Sequence, residues 1–205
     1  MKIKFLIVPL LTIFLISCDR IESEPIHEDN IGDLAKLTNL LRGQNFTTFK
    51  EAVSYSEANF KLGTKTKSNP EDLSISNEAM ATLNRMENIQ VSEGMTLYDY
   101  YQELLNVLFS SELDANSHEF VALYEAAGAT VAMIEYKAGF EVATKGFWSD
   151  LWDAAKCVGG TVGSAGLGAL AGAAAGTITL PVVGTISGTV VGAVSGALVG
   201  VATFC

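Results

Sequence analysis

From Cys157 to Cys205 no position carries a charge, and every ionised side chain of the chain lies upstream of it. Within that apolar run glycine recurs at every fourth position: Gly160, Gly168, Gly172 and Gly176, with Ser164 in the one gap. After a break at Leu180-Pro181 the ruler resumes at Gly184, Gly188, Gly192, Gly196 and Gly200. Residues four apart share one face of a helix. A face of small residues lets two backbones approach closely, which is how apolar helices associate. The pattern predicts two helical arms, about 153–176 and 182–204, with 177–181 as connector and Pro181 in the first turn of the second arm. Each arm would be on the order of 35 Å long, enough to cross a hydrocarbon core of about 30 Å. Gly, Ala, Ser and Thr fill the arms where an anchor would carry Leu and Phe. Glycine weakens an isolated helix by about 1 kcal/mol relative to alanine, so the arms are expected to be firm when packed on each other or on copies from other chains.

Upstream, residues 31–145 show helix after helix. Ile31, Leu34, Leu37, Leu40 and Leu41 repeat at helical spacing, as do Phe46, Phe49, Val53 and Phe60. Residues 62–76 read as a loop. Asn77 is placed as the cap of a helix carrying Met80, Leu83, Met86 and Ile89. Thr96 is placed as the cap of the next, with Leu97, Tyr101, Leu104, Leu105 and Leu108 inward. Asn116 or Ser117 starts a long helix through Phe120, Val121, Tyr124, Val131 and Ile134. No part of this stretch alternates as a strand would, and about 120 residues suffice for one helical core. The expected fold is all-α, a helical domain followed by a glycine-faced helical hairpin.

The N-terminus supplies an address. Lys2 and Lys4 precede an apolar run from Phe5 to Ile16, the layout of a secretory signal. Leu15-Ile16-Ser17-Cys18 resembles the bacterial lipobox, which implies removal of residues 1–17 and lipidation of Cys18. The expected organisation is a signal (1–17), an acidic tether (18–30), an acidic helical domain (31–150) and the apolar hairpin (151–205). The expected location is the bacterial cell envelope, with membrane lipid as partner and a lipid plus a second membrane-binding element as anchor.

The net charge of −10 becomes more negative once Lys2 and Lys4 leave, and none of it lies in the tail. Such a surface disfavours nucleic acid, which selects basic patches. Cys157 and Cys205 bracket the ruler, so a hairpin would bring the two thiols together, and export permits oxidation. A bridge closing this loop stabilises by roughly 4 kcal/mol on the chain-entropy account. Two free thiols or an intermolecular bridge are the alternatives. Trp148 and Trp152 are four apart just before the ruler, as in an interfacial aromatic belt or in packing against the helical domain.

Catalytic chemistry is not apparent. His27 and His118 have no cysteine or second histidine at ligand spacing, and the carboxylates are scattered over polar helix faces. No metal site, cofactor, small-molecule substrate or enzymatic activity is expected. Gly166, Gly168 and Ala171 formally match a dinucleotide fingerprint, but that motif needs a preceding strand and here it sits inside the ruler.

Three runs carry a resemblance: Cys157-Val-Gly-Gly-Thr-Val-Gly-Ser-Ala-Gly-Leu-Gly168, Gly176-Thr-Ile-Thr-Leu-Pro-Val-Val-Gly-Thr185, and Ala202-Thr-Phe-Cys205. Together they resemble class II bacteriocins, most closely the glycine-zipper peptides of the two-peptide type, over about the last fifty residues. The resemblance implies antibacterial permeabilisation of membranes. It assigns helix association, and likewise self-association, to the nine ruler glycines. On this reading the acidic domain holds the hairpin until delivery. The chain also resembles glycine-zipper lipoproteins of bacterial outer membranes, which implies a structural envelope protein with a permanent two-helix membrane segment.

Overall fold

The computed structural model describes residues 28–60, 75–92, 94–139, 151–180 and 183–205. Among them are seven helices: α1 (Glu28–Gly43), α2 (Phe49–Asn59), α3 (Asn77–Glu87), α4 (Leu97–Phe109), α5 (His118–Ala138), α6 (Leu151–Ala175) and α7 (Gly188–Phe204). Two four-residue strands, β1 (Thr177–Leu180) and β2 (Gly184–Ser187), lie between α6 and α7. The fold is all-α apart from this small hairpin.

Local chemistry starts the helices where the polar pattern breaks. Thr96 and Asp99 form a capping box: the Thr96 hydroxyl accepts from the Asp99 amide, and the Asp99 carboxylate accepts from the Thr96 amide. Ser117 caps α5 by accepting from the Phe120 amide. The cap of α3 is Ser76 rather than Asn77: the serine hydroxyl accepts from the Ala79 amide and leaves Asn77 as the first helical residue. On α4 the innermost tyrosine is Tyr100 rather than Tyr101, in line with Leu104 and Leu108.

Helix α5 lies at the centre and touches α1, α3, α4, α6 and α7. Ala122, Leu123, Ala126, Ala127, Ala129, Thr130, Met133 and Ile134 are buried, covering most of its circumference. Its alanines let neighbours close in on several sides at once. Leu37, Leu41, Leu83, Met86, Leu104 and Leu123 share one hydrophobic core with Val158, Val162, Ala165, Val190, Val194, Ala197 and Leu198. Helices α1 to α5 and the C-terminal helical pair, so different in charge, thus enclose a common interior.

The connector departs from expectation. Residues 177–180 pair antiparallel with 184–187, Thr177 opposite Ser187 and Leu180 opposite Gly184. Leu180 and Ile186 turn inward while Thr179 and Thr185 face out. The second arm therefore begins at Gly188, not at residue 182, and spans about 25 Å at the usual helical rise. Helix α6 keeps nearly its expected extent and is about 37 Å long.

Candidate functional site

The ruler glycines build the contact between α6 and α7. A Cβ on Gly168 would run into the Gly192 carbonyl, and a Cβ on Gly192 into the Gly168 carbonyl. Gly172 and Gly188 oppose each other in the same reciprocal way. Gly196 faces the backbone carbonyl of Ser164, the residue that fills the gap in the ruler. A Cβ on Gly200 would come 2.7 Å from the Cα of Thr161. These are backbone-to-backbone approaches, and no side chain present could move aside to admit a methyl group.

Three members of the ruler behave differently. Gly176 and Gly184 have φ of 70° and 80°, with open space where a Cβ would stand. They are turn glycines, not helix-packing ones: Gly176 ends α6 in the left-handed conformation that side chains disfavour, and Gly184 opens β2. Gly160 meets the ring of Phe204 instead of a backbone. The remaining glycines associate two arms of one chain, so the ruler's face is occupied within the hairpin itself.

Both ends of the hairpin are tied. At the open end Cys157 and Cys205 form a disulfide, with Cα atoms 4.5 Å apart. Thr161 stands beside it, its hydroxyl 2.6 Å from the Cys157 carbonyl and 3.6 Å from the Cys205 sulfur. At the other end the Ser187 amide, at the N-terminus of α7, donates to the Asp33 carboxylate of α1 at 3.0 Å. An acceptor with negative charge at a helix N-terminus satisfies an orphan donor and complements the helix dipole. Lys36 also donates to Asp33, at 2.7 Å.

Helix α6 carries a second small face, out of phase with the ruler. Gly159, Gly163 and Gly166 are buried beneath α3. A Cβ on Gly159 would meet the Glu87 carbonyl at 2.6 Å; on Gly163 it would meet the Glu87 carboxylate, and on Gly166 the Leu83 side chain. Burial raises the Glu87 carboxyl above its usual pKa. Nearby Tyr100 is raised as well, mainly by burial and then by the charge of Glu87, and its hydroxyl has no hydrogen-bond partner among the described residues. A ruler counted from Gly160 passes over this second face, although its glycines are plain in the sequence.

The remaining faces of the hairpin are apolar. Val158, Val162, Ala165, Val190, Val194 and Val201 are fully buried, whereas Leu167, Val199 and Phe204 are exposed. Residues 154–175 of α6 are long and apolar enough to cross a membrane. Cys18, Trp148 and the side chain of Trp152 lie outside the described residues.

A family model described as class II bacteriocin with double-glycine leader peptide matches residues 146–199, about a quarter of the chain. The match runs through α6, the strands and most of α7, so the C-terminal segment is bacteriocin-like. No curated protein and no solved structure matches the chain.

Proposed function

We propose that the chain is an exported, lipid-anchored effector whose C-terminal hairpin inserts into target bacterial membranes, self-associates and permeabilises them. One observation carries the reading: the bacteriocin-like segment coincides with a disulfide-closed helical pair, packed backbone to backbone and free of charge from Cys157 onward. Such a pair satisfies its own helical hydrogen bonds and, beyond Asp153 and Lys156 in the first two turns of α6, has no charge to desolvate, the two conditions for residence in hydrocarbon. Lipid is the partner, Cys18 the anchor, and no enzymatic chemistry is required.

The ruler's part in this is to hold the arms together, and association between copies falls to the outer apolar faces. The test is dye release from anionic vesicles by the oxidised 151–205 peptide and by its Gly192→Leu counterpart. Release by the first alone supports the proposal. Stable insertion without release would favour the structural envelope lipoprotein, for which α6 has sufficient length. No binding by either peptide would remove both readings.

A further inference from the structure

The helical body covers one side of the hairpin and leaves the other open. Ser164, Leu167 and Ala171 on α6, and Gly196, Val199 and Thr203 on α7, are all at least partly exposed. Each set keeps three- or four-residue spacing and is therefore one helix face. These faces lie opposite the buried Val158 and Val162 of α6 and Val190 and Val194 of α7, which belong to the common core. Helix α5 packs against both arms, so the two open faces lie side by side, turned away from α5. At the end of α7 the ring of Phe204 lies over Gly160 and carries the strip to the disulfide. Exposed Lys156 borders that end, and from Cys157 onward no side chain is charged.

Most of the strip is a floor of small residues. Leu167, Val199 and Phe204 project from it, 49%, 43% and 47% exposed. Three half-exposed side chains offer on the order of 300 Å² of apolar area, whereas a stable dimer buries about 800 Å² on each partner. So small a surface suits a partner that is held nearby by other means. Such a means lies at the start of the chain. The described residues begin at Glu28, five before Asp33, and Asp33 binds Ser187 at the N-terminus of α7. The ten residues from Cys18 to His27 span at most about 35 Å. A lipid on Cys18 thus enters a bilayer within reach of the strip, and a weak contact adds effectively to one already tethered.

The geometry points to this strip as the face by which the folded chain lies on the bilayer that holds its lipid, with α5 on the side away from the membrane. The inference rests on the lipid anchor at Cys18 in the reading above. It adds the docking surface and an orientation, in which the hairpin lies along the bilayer before it leaves the body.

The chain from Cys18 onward keeps every described residue, and with Cys157 and Cys205 bridged its one free thiol is Cys18. That thiol is capped with a single-chain alkyl maleimide, whose own membrane binding is marginal and reversible. Binding to phosphatidylcholine vesicles is read by flotation. Combining Leu167→Ser, Val199→Ser and Phe204→Ser is expected to lower the partition of the capped chain about 10-fold or more. Tyr98→Ser should leave it unchanged: Tyr98 is more exposed, at 69%, but lies on α4, which packs on α3 and α5. Hydrogen exchange checks that α6 and α7 stay protected in every sample. Orientation is read without weakening the strip, by quenching from bromine-labelled phosphatidylcholine. Leu167→Trp should gain quenching over the unaltered chain and Tyr98→Trp should gain none; this pair decides if the triple variant loses protection. Equal partition of a protected triple variant and the unaltered chain, or equal quenching at 167 and 98, overturns the docking. A dimer in buffer that the triple variant dissociates gives the strip to a second copy and overturns it as well. The anchor is tested separately, by mass spectrometry of the exported protein. An unmodified Cys18 overturns the lipid-anchored reading and removes the tether on which the docking rests, even where the vesicle results are as expected.

Discussion

Glycine does two jobs in this chain, and single methyl groups distinguish them. At Gly172 a Cβ has nowhere to go, because the Gly188 carbonyl stands in its place. At Gly176 there is room, and the obstacle is the left-handed backbone. Gly172→Ala is expected to destabilise by about 1–3 kcal/mol through overpacking, and Gly176→Ala by about 1 kcal/mol through conformational strain. Each kilocalorie lowers Tm by roughly 2–4 °C in a chain of this size. Thermal unfolding of the two variants checks the order; a larger loss at Gly176 would mean that the ruler is not the tight contact. Glu87 makes a second prediction at this scale. Its folded pKa is raised by burial, so the folded state holds the proton more firmly than the unfolded one. The protonated carboxyl favours folding below the unfolded pKa of about 4.3, and that contribution is lost as pH rises through the folded value. Glu87→Gln should therefore be more stable than the unaltered chain at pH 7.5, with the difference disappearing near pH 4. Equal stability at both pH values would contradict the burial of the charge.

Elements were legible where a period had length enough to show. Helices α1 through α5 follow from apolar spacing over three or four turns, and Thr96 and Ser117 announce their helices by the chemistry of the cap. The strands did not show, because four residues are too few for alternation to be told from a turn. The register of the ruler also misled at Gly176 and Gly184, which keep the four-residue spacing but serve the strand pair. The circumferential burial of α5 was hidden by alanines, which count little in an amphipathic stripe and yet admit neighbours on several sides. The second face of α6 is hidden for a related reason: Gly159, Gly163 and Gly166 are out of phase with the ruler, and a single period describes a single packing face. The joint between α1 and α7 was invisible in sequence, since Asp33 and Ser187 are 154 residues apart. Asp33→Ala should cost about 1–2 kcal/mol, as the loss of a helix N-terminal acceptor does, and should speed amide exchange in the first turn of α7. Unchanged exchange there would show that the carboxylate does not hold that helix.

At the scale of the whole molecule, charge and packing divide the chain differently. By charge it has an acidic part and a neutral part, and most of the bacteriocin-like match, from Cys157 onward, falls on the neutral one. By packing the two parts share a core, so the acidic body also covers most of the apolar surface of the helical pair. The disulfide joins the first turns of α6 to the end of α7 and leaves the body unlinked to the hairpin by covalent cross-bridges among the described residues. Reduction should lower stability by roughly 4 kcal/mol on the chain-entropy account, seen as a lower urea midpoint, without separating the hairpin from the body in native buffer. The central claim is that the hairpin is membrane-active and that the helical body restrains it. The most direct measurement is dye release from one batch of vesicles by equal concentrations of the oxidised 151–205 peptide and the folded full chain. The account predicts release by the peptide and little or none by the full chain. Equal release by both would contradict the restraint, and silence from the peptide would contradict the membrane activity on which the account stands.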